Sequence, residues 1–438
     1  MNSYITIPRI LKAACLMVLT FTFTSCEIDD FPDPNNPIIE PDANVTELNY
    51  LVVGTESGMR NFLGTYYDNV GVIGREYYRF SGADPRFTTD LLGFSTSVLD
   101  DNTFYTTNPW GARYRVVKNA NILIETANNS TLITEEQRQG YLGFAKTIKA
   151  HQLLMNLTMT NENGIRIEVE DVDNPGPIVK RDEAYGALAN LLNEAATHLG
   201  SAGTTFAFPL SDGFDGFNTP ATFLQFNRGL AARIAVYRGR FEEALTLLEG
   251  SFLDLTGDFD KGVYYTFSTA PGDQLNPLFY APNATGEVRI AHPSFIADAT
   301  PGDARLSKVS LRTAPATQSG LTGRYDVAVY TSLLDPVPII RNEELILIYA
   351  EAKIQTNQLG DAVTALNRIR TSNNIGPYTG AQTQQALINE MLRQRRYSLY
   401  FEGHRWVDMR RYNRLSELPI DRDGDDVWVN FPVPFAEN

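Results

Sequence analysis

The chain has 438 residues, 43% hydrophobic and 20% charged, so it carries enough apolar material for a large core and too little charge for a disordered coil. Its 52 acidic and 37 basic residues give a formal charge of −15, a balance that argues against nucleic acid as a partner. With only Cys15, Cys26 and four histidines, a disulfide scaffold, a multi-cysteine metal site and a His-rich metal centre are excluded, and no metal or cofactor is expected.

Residues 1–25 carry Arg9 and Lys12 ahead of an apolar run from Ala13 to Phe23. The run is short for a membrane span and fits a secretory signal. Phe23-Thr24-Ser25-Cys26 resembles a bacterial lipobox, with phenylalanine where an aliphatic residue is usual. Cleavage would leave Cys26 as an acylated N-terminus, and several acyl chains would hold it to a membrane. An ordinary anchor helix with an incidental cysteine is the other reading. Residues 26–45 are acidic and Pro-rich, which predicts a solvated tether. Acids directly after Cys26 resemble the signal that sends some gram-negative lipoproteins to the cell surface, and a plain linker is the bland alternative.

Beyond Val45 the strongest periodic signals are helical. Leu142, Ala145, Ile148, Leu153 and Leu157 space a helix over 137–159, and Ala184, Leu188, Leu191, Leu192 and Ala195 another over 182–199. Residues 222–248 read as two helices turning at Gly239-Arg240-Phe241. Residues 343–355 and 361–370 read as a second pair. Ala232 and Ala244, and likewise Ala350 and Ala362, stand twelve residues apart, resembling tetratricopeptide units in which small residues let two helices cross closely. The expected architecture is mainly α: one domain over 46–438, a scaffold of helical pairs near 112–160, 182–251 and 341–412, interrupted by long irregular segments near 70–110 and 252–338. Loops of that length either fold locally or carry function.

The C-terminal part is the most specific. It contains Arg341-Asn342-Glu343-Glu344-Leu345-Ile346-Leu347-Ile348-Tyr349-Ala350-Glu351-Ala352, then Arg395-Arg396-Tyr397-Ser398-Leu399, then Glu402-Gly403-His404-Arg405-Trp406-Val407-Asp408-Met409-Arg410-Arg411. These runs resemble the signature of the SusD/RagB family of outer-membrane nutrient-binding lipoproteins, with Gln394 and Ser398 where that pattern usually has glutamate. The resemblance implies a SusD-like fold, a cell-surface lipoprotein of the outer membrane anchored through Cys26, a SusC-like TonB-dependent transporter as partner and an oligosaccharide as ligand. It implies a binder and not an enzyme.

Charges among apolar residues on amphipathic helices must be paired if buried. Arg341, Glu344, Glu351, Arg395, Glu402, Arg405 and Asp408 are therefore expected to form a structural ion-pair network. No G-x-S-x-G or H-E-x-x-H occurs, and the turn Asp421-Arg422-Asp423-Gly424-Asp425-Asp426 lacks the glycine position and closing glutamate of a calcium loop. A sugar offers an apolar C–H face and a rim of hydroxyls, which flat aromatics and Asp, Asn or Arg would hold. The loop candidates are Tyr77, Tyr78, Phe80, Asp84 and Arg86 in the first segment, and Tyr264, Tyr265, Tyr280 and Asn283 in the second; for any one tyrosine, core packing is the competing reading. A peptide cargo, a glycoside hydrolase on a helical frame and a helical-repeat adaptor are the rival functions.

Overall fold

Asn44 caps the first helix among the described residues. Its side chain accepts from the Thr46 (2.8 Å) and Glu47 (3.3 Å) N–H groups while Glu47 returns a bond to the Asn44 N–H (2.8 Å), the reciprocal box that starts a helix. The computed structural model describes residues 42–171 and 173–437. The expected signal at 1–25, Cys26 and the tether up to residue 41 lie outside the described residues. The last residues of the expected tether join the fold: Asp42 accepts from the Thr131 N–H at 2.7 Å, and Val45 begins the first helix.

In chain order, α1 (Val45–Gly58) and α2 (Leu63–Ile73) lead into β1 (Tyr77–Ser81), then α3 (Phe104–Asn129), α4 (Glu135–Thr160), the short strands β2 (Ile165–Arg166) and β3 (Ile178–Val179), and α5 (Arg181–Gly200), α6 (Pro220–Tyr237) and α7 (Phe241–Glu249). The second half carries β4 (Gly262–Tyr265), β5 (Glu287–Ala291), the short α8 (Pro293–Ala297), β6 (Val309–Gln318), β7 (Leu321–Val327), β8 (Val337–Arg341), α9 (Asn342–Gln355), α10 (Leu359–Ser372), α11 (Gln384–Ser398) and α12 (Arg405–Arg411). Each helix packs on the next along a continuous stack: α3 on α4, α4 on α5, α5 on α6, α6 on α7, α7 on α9, and α9 on both α10 and α11. Ala232, Ala244, Ala350 and Ala362 are all fully buried, as close crossings within α6/α7 and α9/α10 require. The architecture is mainly α, a stack of tetratricopeptide-like helical pairs.

The first pair begins at Phe104, ahead of the expected residue 112, because Pro109 sits inside α3. Proline cannot donate to the carbonyl of residue 105. The Asn69 side chain from α2 supplies that bond instead, donating Nδ2–H to the Tyr105 carbonyl at 2.7 Å. The two segments expected to be irregular are partly ordered. They contribute an antiparallel sheet in the order β1-β5-β7-β6, with Tyr77 opposite Ala291 and Ser81 opposite Glu287. The β6–β7 hairpin turns at Ser319-Gly320, both at positive φ (51° and 82°), the two-residue turn that matches strand twist.

Buried charges bind the helices to one another. Arg233 on α6 grips Glu344 on α9 through two contacts of 2.6 Å, and Arg395 on α11 meets Asp408 on α12 at 2.6 Å. Arg411 reaches Glu351 (2.6 Å) and Asp408 (3.0 Å), and Arg341 bonds Glu402 (2.7 Å) and Glu343. Six of the seven residues expected in such a network are thus in ion pairs. Arg405 is the correction: among the described residues it has no ion-pair or hydrogen-bond partner, and its Nε is enclosed. Arg233, which the C-terminal pattern could not supply, takes a place in the clamp.

Glu76, between α2 and β1, is a buried acid of the opposite kind. Its Oε1 accepts from the Phe401 N–H at 3.3 Å and its Oε2 has no partner. Burial pushes its pKa up to about 8 from 4.5. Folding then takes up a proton between those values, so this group's contribution is most favourable below pH 4.5 and becomes a penalty as pH rises toward 8. Glu76→Gln is expected to stabilise the protein by several kcal/mol, up to about 4, at pH 8 and by little at pH 4.5. Urea unfolding at the two pH values checks this, and equal effects at both would refute it.

Candidate functional site

Side chains of β1 alternate between two faces of the sheet. Arg79 and Ser81 lie on the face toward α2. Asp68 on α2 accepts from Arg79 (3.3 Å) and from two nitrogens of Arg289 on β5 (2.6 and 2.9 Å), so one carboxylate joins the sheet to the helical scaffold. Tyr280 is held between these cations, its ring 5.0 Å from the Arg79 guanidinium and 4.7 Å from that of Arg289. Its hydroxyl accepts from Arg79 at 2.8 Å. Glu287 pairs with Arg79 and accepts from the Ser81 hydroxyl at 2.6 Å; burial opposes its charge, yet these two donors hold its carboxyl below the ordinary value.

Above the opposite face lies an open groove of about 450 Å³ between the loop at 283–286 and the edge strand β6. Phe80 and Val288 lie at its base, each only 4% exposed, and Ala314, Pro315 and Ala316 supply most of its accessible apolar lining. The β6–β7 register slips between Leu311 and Ala316, which swings residues 312–315 out of the ladder to make the far wall. Asn283, at φ 59°, fixes the two walls: its Oδ1 accepts from the Thr313 N–H (2.7 Å) and hydroxyl (3.0 Å). Arg312 donates to the Ala284 carbonyl (2.9 Å), and Gln318 bonds the Ser81 N–H (2.7 Å) and C=O (2.6 Å). An apolar lining with a rim of hydroxyls, amides and backbone polar groups can take a polar ligand with one apolar face. Arg312, Thr313 and Gln318 were not foreseeable, because a bulge in an edge strand has no sequence signature of its own.

The candidate residues fall into three groups. Phe80 and Asn283 line this groove, and Asp84 and Arg86 form an exposed pair (2.6 Å) just beyond β1. Asp84 is held below its usual carboxylate range by that hydrogen bond to Arg86. Tyr77, Tyr78 and Tyr265, expected as ligand platforms, are instead core residues, at 0%, 2% and 4% exposure. Tyr77 donates to the Tyr67 carbonyl (2.8 Å) and sits edge-on to Phe401, Tyr78 stacks on Phe80, and the Tyr265 hydroxyl bonds His151 Nε2 at 2.8 Å. Their rings have no free face for a sugar, because aromatic side chains bury more area than a loop can leave uncovered. Tyr264 and Tyr265 line a different, smaller cavity of about 100 Å³ beside Arg60 and Asp273.

Ser294, His292 and Asp421 lie in hydrogen-bonding series, with His292 Nδ1 2.8 Å from the serine hydroxyl and Nε2 3.0 Å from the carboxylate. The ring is 3% exposed, and its Nδ1 also accepts from the Ser294 N–H at 3.2 Å as the cap of α8. That geometry serves the helix start. In the 421–426 turn, Asp421 is engaged by His292 and Asp425 by Arg422 (2.7 Å). Among the described residues no cluster of three or more His, Cys, Asp or Glu is placed to hold a metal ion, and no helix is long and apolar enough to cross a membrane.

Residues 329–428 match the family model described as SusD family. Several solved structures share the fold. A SusD superfamily protein from Bacteroides vulgatus superposes with a TM-score of 0.67 at 15% identity, over 90% of this chain and 96% of that one. The surface glycan-binding protein A of Bacteroides thetaiotaomicron, solved in complex with laminarihexaose, gives 0.66 at 13% identity over 86% and 92%. Its namesake from Bacteroides uniformis gives 0.62 at 15% identity over 85% and 89%. No curated protein matches the chain.

Proposed function

We propose, from a SusD-type fold whose C-terminal segment matches the SusD family, that this protein is a lipid-anchored outer-membrane protein that captures an oligosaccharide at the cell surface and passes it to a TonB-dependent transporter without transforming it. The observation that carries the reading is the groove beside β6, which pairs an apolar lining with hydroxyl, amide and main-chain partners on rigid strands. Surface glycan binding by relatives of the same fold supports it. The stacked helices offer a broad face on which a barrel transporter could seat.

A cationic peptide is the second reading, favoured by the formal charge of −15, which draws basic solutes over long range. Affinity electrophoresis through gels containing a polysaccharide panel separates the two: retardation by at least one glycan is expected, while retardation by none together with binding of basic peptides would establish the second. The anchor is tested by Cys26→Ala. The variant should fold yet leave the membrane fraction, and full retention in membranes would refute lipidation at Cys26.

A further inference from the structure

A second groove, larger than the one beside β6, has no part in the reading above. It spans about 670 Å³ between α11, α12 and the segment following α8, within the usual size of a small-molecule site. Four arginines line it: Arg393 and Arg396 from α11, Arg405 at the start of α12, and Arg414 just beyond. In a chain with 15 more acids than bases, that is a local reversal of charge.

Counter-charge there is scarce. Arg396 bonds Asp298 at 2.8 Å, and Arg414 approaches Glu417 only to 3.8 Å; both carboxylates are more than half exposed. Glu390 also borders the groove but is taken by Arg370 and by the Gln394 amide (2.7 Å). Arg393 spends its donors on the Asp298 carbonyl (2.6 Å) and the Thr300 hydroxyl (3.2 Å). Arg405 has nothing. Burial, with the neighbouring charge of Arg396, pushes its pKa down to about 10. Glu76, whose field reaches it, is held mostly protonated at neutral pH by its own burial. A half-buried guanidinium whose enclosed Nε has no acceptor is a costly arrangement that an incoming oxyanion would relieve through charge-assisted, often bidentate bonds. Tyr378 and Asn389 on the same wall add a ring face and an amide.

We propose that this groove is a second ligand site, separate from the one beside β6, and that it takes the oxyanion of an acidic sugar (a carboxylate or sulfate ester) on Arg405, with Arg393, Arg396 and Arg414 around it. That the anion is carried on a sugar rests on the glycan reading; that the site takes an anion does not.

The test is calorimetric titration of the full-length protein with a trigalacturonide, its fully methyl-esterified counterpart and inorganic sulfate. The uronide should bind, and the neutral ester about tenfold or more weaker. Arg405→Gln and the rim variant Arg393→Gln should each weaken uronide binding about tenfold, and raised salt should weaken it further. Ala314→Trp, which fills the other groove, should leave it unchanged. Should Arg405→Gln fail to fold, Arg393→Gln combined with Arg414→Gln decides. Sulfate binding that is lost in the same variants, with no sugar bound at either groove, would sink the glycan reading and leave the anion site standing. Equal binding of uronide and ester, binding of neither uronide nor sulfate, or indifference to the arginine variants would overturn the proposal.

Discussion

Asp68→Ala is expected to destabilise the protein by about 3–5 kcal/mol, the cost of breaking a buried charge cluster from one side. Among the described residues Asp68 is the sole carboxylate on Arg289 and one of two on Arg79, and all three side chains are buried. Its removal strands the Arg289 guanidinium between Tyr280 and Phe401 with only the carbonyls of Pro277 and Leu278 to accept from it, both at 3.1 Å. Desolvating a cation without a counter-charge costs more than the pair ever contributed, so the variant should lose more stability than the bond alone would suggest. The loss should concentrate in the sheet, since β1 and β5 carry the two arginines. Urea unfolding gives the magnitude, and hydrogen exchange should show β1 and β5 opening before the helical stack. A change below about 1 kcal/mol would mean that the cluster is solvated and not a joint.

The second large effect is expected at the clamp between α6 and α9. Arg233→Met should cost about 3–5 kcal/mol, because it leaves Glu344 buried with only the imidazole of His404, 3.8 Å away, beside it. His404 cannot easily replace the arginine: burial pushes its pKa down to about 4, so at neutral pH it is uncharged. Burial also works against the Glu344 carboxylate, yet Arg233 and, less, His404 hold it below its usual range. The double variant Arg233→Met, Glu344→Met should recover most of the loss, since two thioether chains replace a pair whose desolvation nearly cancels its attraction. A double variant as unstable as the sum of the singles would show that the two residues act independently.

Much of the helical stack can be read from residues. Ala362, Ala365, Leu366 and Ile369 mark the buried face of α10, and all four are in the core beside Ile346, Ala350 and Leu387. Amphipathic helices announce themselves because one face meets water. The helix α2 does not: ten of its eleven residues are buried, so no polar stripe alternates with the apolar one to signal it. β1 is hidden for the same reason, with every residue from Tyr77 to Ser81 buried. That is why its tyrosines looked like loop aromatics free to stack on a ligand. Arg341, Glu344, Glu351, Arg395, Glu402 and Asp408 could be foreseen as paired, since charges embedded in apolar helices have no other stable fate. Their partners could not, because Arg233 meets Glu344 from 111 positions away. The groove beside β6 was legible only through Phe80 and Asn283; the bulge that completes it depends on strand register, which single-residue patterns do not encode.

The capture claim is tested most directly by titrating neutral oligosaccharides into the full-length protein and into Ala314→Trp, whose indole would fill the groove from an exposed position on β6. The account predicts micromolar to millimolar binding of at least one glycan, weakening about tenfold or more in the variant, with the sugar recovered at its original length. Unchanged binding in the variant, or recovery of shortened products, would contradict it.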